Sequence, residues 1–200
     1  MAAEKHTSRL YFKILPMKKL SVLLFALFCF FSLNVNAQIF GGATVGLQAP
    51  MGDFGDYAKM GVGINLVGKY MLNENMAVGL NLGYNRFGAE NFGFDEYDID
   101  ASYSIIPVTG LFEYHFSGKA VKPYIGADLG LYSVGAKVKY QGESESESDM
   151  YFGLAPVAGI LYDINDNLTF CANIKLHNVF SDGDSTSWFG INAGVIIPLN

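Results

Sequence analysis

Met76-Ala77-Val78-Gly79-Leu80-Asn81-Leu82-Gly83-Tyr84-Asn85 decides how this chain is read. Met76, Val78, Leu80, Leu82 and Tyr84 are large and apolar. Between them stand Ala77, Gly79, Asn81, Gly83 and Asn85, all small or amide-bearing. A period of two marks a strand, because successive side chains point to opposite faces. The pattern recurs outward in both directions. Val62, Ile64 and Leu66 alternate with Gly61, Gly63 and Asn65. Phe170, Ala172, Ile174 and Leu176 alternate with Cys171, Asn173, Lys175 and His177. Phe189, Ile191, Ala193, Val195, Ile197 and Leu199 alternate with Trp188, Gly190, Asn192, Gly194, Ile196 and Pro198.

Eight strands are predicted, over about 39–49, 61–71, 75–87, 102–115, 122–136, 150–162, 168–179 and 187–199. Most exceed the ~5–6 residues usual in soluble sheets and reach the ~9–11 that a tilted membrane-crossing strand needs. Three connections are short: 72–74, 117–121 and 163–167. Four are longer and polar: 50–60, 88–101, 137–149 and 180–186. Long and short alternate strictly. That order predicts an all-β fold: an eight-stranded antiparallel transmembrane up-and-down β-barrel, with short periplasmic turns and longer acidic outer loops. Beyond residue 37 no apolar run approaches the ~20 residues of a spanning helix.

Charge and aromatics follow the same division. Asp53, Asp56, Glu90, Asp95, Glu96, Asp98, Asp100, Glu143, Glu145, Glu147, Asp149, Asp182 and Asp184 fall in the long loops, 13 of the 18 acids beyond residue 37. Phe87, Tyr103, Tyr132, Tyr151, Phe152 and Trp188 lie toward the long-loop end. Phe40, Tyr70, Tyr114, Phe116, Tyr124, Tyr162 and Phe170 lie toward the short-turn end. Two aromatic bands are expected as interfacial girdles.

A soluble eight-stranded barrel would place its apolar residues inside and its polar ones outside. Here the face opposite the large apolar residues carries Asn65, Lys69, Asn81, Asn85, Glu113, His115, Asp128, Asn173, Lys175 and Asn192 among many glycines. So small and amide-rich a face suits a narrow interior better than a water-facing surface. Glu113 and Asp128 with Lys69 and Lys175 form a candidate interior ion network; the plainer alternative leaves one or two of them in water at the rim. Strand six shows no polar face. Pro107 and Pro156 are expected near the outer rim or at bulges, because a ladder lacks a donor at proline.

The start of the chain reads differently. Met17-Lys18-Lys19, the apolar run through Phe31, and Val35-Asn36-Ala37 have the form of a secretory signal peptide. The expected organisation is an over-extended start at 1–16, a signal peptide at 17–37 and an outer-membrane barrel domain at 38–200. Cys29 follows the bulky Phe28, so lipidation there is not expected. Cys171 is read as a small apolar filler. Removing residues 1–37 takes away five of 13 bases and one of 19 acids, so a net charge of −6 becomes −10. Acidity of that size excludes a nucleic-acid binder, which carries a basic face.

Residues 38–200 resemble the small outer-membrane β-barrel proteins of the OmpA/OmpX-type superfamily of Gram-negative bacteria. The resemblance rests on Pro50-Met51-Gly52-Asp53-Phe54 after the first strand, and on Lys122-Pro123-Tyr124-Ile125-Gly126-Ala127 running to Gly130-Leu131-Tyr132. It also rests on the end pattern of Asn192, Gly194, Ile197 and Leu199, which is similar to the signal read by the barrel-assembly machinery. The chain departs from that pattern in ending on Asn200, with no closing aromatic. The resemblance implies integration in the cell outer membrane. The implied partners are outer-membrane lipid, lipopolysaccharide and the barrel-assembly machinery, with an external ligand open and a monomer expected. It does not specify an activity.

Candidate chemistry is sparse. His177 has Asp182, Asp184, Ser185 and Ser187 near it in sequence, a set that a lipid-modifying enzyme at the outer rim would use if the side chains converged. The run Glu143-Ser144-Glu145-Ser146-Glu147-Ser148-Asp149 offers carboxylates to divalent cations, or is a solvated flexible loop. Asp95 to Asp100 reads similarly. No catalytic, cofactor or metal residue is assigned, and no cofactor is expected. The leading expectation is a non-enzymatic structural or surface-binding barrel acting through its acidic loops. The alternatives are the rim enzyme with His177 and a narrow solute channel.

Overall fold

The computed structural model describes residues 38–89, 99–140, 143–181 and 185–199. The leader with Cys29, the loop acids Glu90, Asp95, Glu96, Asp98, Asp182 and Asp184, and the terminal Asn200 lie outside these residues. Eight antiparallel strands form a closed barrel in sequence order. They are β1 (Ile39–Met51), β2 (Ala58–Met71), β3 (Met76–Ala89), β4 (Ile99–His115), β5 (Val121–Tyr140), β6 (Glu143–Asn165), β7 (Leu168–Phe180) and β8 (Ser185–Pro198), with one short helix, α1 (Asp53–Tyr57), between β1 and β2. β1 pairs with β8 from Phe40↔Pro198 to Met51↔Ser187, so no edge remains within the ring. In hydrocarbon an unpaired N–H or C=O finds no water, and closure supplies every strand with two neighbours.

The register sets the shape. From Gly41 the paired positions run through Gly68, Leu80, Gly110, Leu129, Leu154, Asn178 and Ser187 and return to β1 at Met51, ten residues further along. Such a stagger requires tilted strands and leaves an interior just wide enough to be filled by side chains.

The two faces are inverted relative to a soluble barrel. Leu80 is 70% exposed and Val45 62% exposed on the outside, while Lys69 is 6% and Asp128 1% exposed on the inside. All ten residues expected inside point there; Asn173 is half-buried and the other nine are buried. Glycine makes the narrow bore possible. A Cβ on Gly46 would strike the Ile191 carbonyl and the Asn192 side chain, and would lie 2.8 Å from Asn192 Cα. Outward-facing Gly68 has nothing within 4 Å of that position.

Several expectations are corrected. The segments 50–60 and 137–149 are not long loops. β2 starts at Ala58, and β5 and β6 remain paired up to Tyr140↔Glu143. The alternation of glutamate and serine in 143–149 is itself a strand period, and water above the membrane solvates whatever the ladder leaves unpaired. The reading of that run as a flexible loop is thereby replaced by paired strand. The outer aromatic band also fails for most of its members: Phe87, Tyr132 and Trp188 are fully buried inside the barrel and Tyr103 and Tyr151 pack against them, whereas Phe152 faces outward. Phe87 and Trp188 share the strand phase of the interior Asn85 and Asn192, and phase overrides aromatic character. At the short-turn end Tyr114, Phe116, Tyr162 and Phe170 do face outward, but Tyr124 is buried inside and Phe40 packs against the same interior cluster. Neither proline marks a rim or a bulge. Pro107 pairs with Tyr132 and Pro156 with Ala127, while the ladders on their other sides skip Ile106-Pro107 and Ala155-Pro156 without changing register. Gly83 makes room on the adjacent strand, where a Cβ would come within 2.7 Å of the Pro107 ring. In β6 the ambiguous strand turns Ala155, Val157 and Leu161 inward.

Gly46→Val is expected to abolish the compact, heat-modifiable band in SDS gels after refolding in detergent. Gly68→Val should retain it, because the added methyl groups meet only lipid. Equal folding of the two variants would contradict the tight bore.

Candidate functional site

Three layers fill the bore. The lowest, on the short-turn side, is ionic. Lys69 on β2 donates to Glu113 Oε2 on β4 at 2.7 Å, and the His115 ring nitrogen Nε2 lies 2.9 Å from the same oxygen. Lys69 Nζ also stands 5.1 Å above the Tyr124 ring, a cation–π distance. Across the bore Lys175 on β7 donates to Asp128 Oδ2 on β5 at 2.6 Å. The expected four-residue network therefore exists as two separate pairs, one of them joined by histidine. A cavity of about 10 Å³, enough for one water, lies between them against Cys171 and Asn173. Cys171 is buried beside Leu161 and Ile196, as a small apolar filler should be.

The middle layer is a relay of amides. Trp188 Nε1 donates to Gln48 Oε1 at 3.2 Å, Gln48 Nε2 donates to Asn192 Oδ1 at 3.0 Å, and Asn192 Nδ2 donates to Asn173 Oδ1 at 3.0 Å. Asparagine and glutamine suit this position because each carries both donor and acceptor. Gln48 was not singled out from sequence. Its signal is the alternation Thr44, Gly46, Gln48, which continues the interior phase along β1.

The upper layer is an apolar plug. Trp188, Tyr132, Phe87, Ile105, Val179 and Ala58 form one buried cluster. His177 stacks on Trp188 with centroids 4.4 Å apart and planes 6° apart, and its Nδ1 lies 3.2 Å from the Tyr132 hydroxyl. α1 completes the closure from above. Phe54 meets Phe87 edge-on at 5.1 Å and Tyr103 at 5.9 Å. Gly52, at φ 59, turns the chain out of β1 so that the helix lies over the mouth.

This geometry decides where the candidate rim residues stand. His177 points into the bore and meets Tyr132 and Trp188. Ser187 instead donates to Asn178 Oδ1 at 3.1 Å, and Ser185 is exposed. Among the described residues His177 therefore has no serine or acid partner, because Ser185 and Ser187 fall on the opposite strand phase from Trp188. Among the described residues no group of three His, Cys, Asp or Glu is placed to hold a metal ion. At the short-turn side, beyond Tyr162, Lys122 donates to Asp163 Oδ2 at 2.6 Å. That bond keeps the carboxyl below its ordinary pKa. Its small contribution is therefore present above the pKa of an unfolded aspartate and fades as pH falls through the lowered value.

The sequence matches the family described as "Outer membrane protein beta-barrel domain" over residues 22–196. The chain belongs to this family. It is an outer-membrane β-barrel protein. Solved structures agree with the fold. Neisserial surface protein A is 19% identical with a TM-score of 0.60, covering 81% of this chain and 98% of that one. A major outer membrane protein from Thermus thermophilus is 13% identical with a TM-score of 0.56, covering 82% and 100%. The attachment invasion locus protein Ail of Yersinia pestis, in complex with the heparin analogue sucrose octasulfate, is 23% identical with a TM-score of 0.51, covering 80% and 97%. No curated protein matches the chain.

For this outer-membrane barrel, Lys175→Met should cost about 3–5 kcal/mol by leaving Asp128 buried without its partner. The double variant Lys175→Met, Asp128→Leu should recover most of that loss. Urea unfolding in lipid vesicles, followed by the fluorescence of Trp188, the single tryptophan, measures both. A double variant as unstable as the single one would show that the pair itself supplies net stability.

Proposed function

We propose that this barrel acts through its outer surface and not through its bore, as a non-enzymatic structural or surface-binding protein. The observation that carries the reading is the filled interior. Phe54, Phe87, Tyr132 and Trp188 close the outer end over an amide relay and two ion pairs. A solute would have to displace all three layers, which argues against the channel. The partners of His177 argue against the rim enzyme.

The outer side is strongly acidic. The segments 50–60, 88–101, 137–149 and 180–186 carry 13 acids against three bases, Lys59, Lys137 and Lys139. Such a surface attracts cations and basic polypeptides and repels polyanions. A sulfated sugar like the one held in the Ail structure therefore does not suit this chain. Divalent cations gathered here would also bridge to lipopolysaccharide phosphates. Residues 17–37 serve, on this reading, as the export leader, with the mature protein starting at Gln38 and assembled into the outer membrane as a monomer.

In nanodiscs of zwitterionic lipid the protein is expected to bind polylysine in a salt-dependent way and to leave heparin unbound. Preference for heparin, or no binding of either polymer, would overturn the acidic-surface reading. Planar-bilayer recordings should show no conductance steps, and regular steps would restore the channel. His177→Ala should leave lipid A unaltered in mass spectra. Protein purified from outer membranes should begin at Gln38 by intact mass.

A further inference from the structure

The ladder between β6 and β7 is interrupted at Pro156. It runs through Leu154↔Asn178, passes over Ala155 and Pro156, and resumes at Val157↔Lys175 in the same register. Pro156 therefore stands opposite Leu176, while its other side is paired with Ala127. At every second position of an antiparallel ladder the opposed residues exchange two N–H···O bonds. The two skipped pairs mark Pro156 and Leu176 as such a position. Proline has no N–H to give, so the Leu176 carbonyl loses its ladder donor. A carbonyl without a donor is costly in a wall that lipid surrounds.

A side chain stands in for the missing N–H. Asn178 Nδ2 donates to the Leu176 carbonyl oxygen at 3.3 Å. The other end of the carboxamide is held from β8, where Ser187 Oγ donates to Asn178 Oδ1 at 3.1 Å. Asn178 and Ser187 are directly paired across β7 and β8. With Oδ1 engaged by a hydroxyl, Nδ2 is the end that faces Leu176. The residue next to Leu176 is His177, which stacks on Trp188 with centroids 4.4 Å apart. The seam therefore lies in the wall directly beside the aromatic plug.

We propose that Asn178 is a latch on the barrel wall: its carboxamide replaces the donor missing at Pro156 and holds β6 against β7 beside the plug. Ser187 is a positioning residue, because it fixes which end of the carboxamide meets Leu176. From Val157 to Asp163 the backbone ladder closes this wall. At the seam a side chain helps to close it, and a side chain can rotate away without unfolding a strand. Release of the latch bares His177 and Trp188 to lipid.

The test uses the folded barrel in nanodiscs that contain brominated lipid. Two readouts are followed: amide hydrogen exchange across 174–178, and quenching of Trp188, the single tryptophan. Asn178→Leu keeps the size of the side chain and removes its donor. It should speed exchange about tenfold and make Trp188 more open to quenching. Ser187→Ala should move both readouts the same way by a smaller factor. Pro156→Ala restores the backbone N–H and should match the unmodified barrel. The double variant Pro156→Ala, Asn178→Leu should return to the unmodified level, whereas a simple loss of packing at 178 would not be cured by a change on β6. An Asn178→Leu barrel that exchanges as slowly as the unmodified one overturns the latch. So does a double variant as open as Asn178→Leu alone. Where Asn178→Leu gives no heat-modifiable band, recovery of the band by Pro156→Ala supports the latch, and its continued absence overturns it.

Discussion

The structure depends on the ladder between β1 and β8. In hydrocarbon each unpaired backbone group costs several kcal/mol, about as much as many folds have in reserve. A sheet in lipid must therefore return to its own first strand. The stagger of ten residues between Gly41 and Met51 is the form that return takes with eight strands. It fixes the width of the bore, and the width dictates the interior. Glycines such as Gly46 stand where a carbonyl of the neighbouring strand leaves no room for an inward Cβ.

A bore of that width cannot stay empty, and lipid reverses the usual rule about what fills it. The outside takes the apolar side chains, so the inside holds the charges. Buried charges are tolerable only in pairs, and the lower layer places Lys69 beside Glu113 and Lys175 beside Asp128. Above it hydrogen-bond donation runs from Trp188 through Gln48 and Asn192 to Asn173. Above them the interior turns apolar, and Phe54 on α1 seals the cluster. The bore is thus filled from end to end.

The outer end obeys different physics because water reaches it. Backbone groups there can do without a ladder partner, so the strands need not end together. β5 and β6 outrun β7, and the acids that read as a loop become a strand that, among the described residues, is paired on one side only. Charge on such an edge normally keeps it from aggregating.

Period-two alternation determined by itself the strand count, the inversion of the two faces and the interior placement of Asn81, Lys175 and their companions. Each of these depends only on which face a residue takes, and phase is local to a strand. The same phase already placed Phe87 with Asn85 and Trp188 with Asn192, although aromatic character at a strand end pointed to the lipid interface. His177 was legible as an interior position but not as a neighbour of Tyr132 and Trp188, since those three come from three strands. Which strand outlives its neighbour above the rim was equally hidden, because 143–149 alternates whether or not anything pairs beside it. Alternation reveals faces because it lies within one strand. Partners, the plug and the free edge were decided only by the tertiary structure, because register and stagger relate strands far apart in sequence.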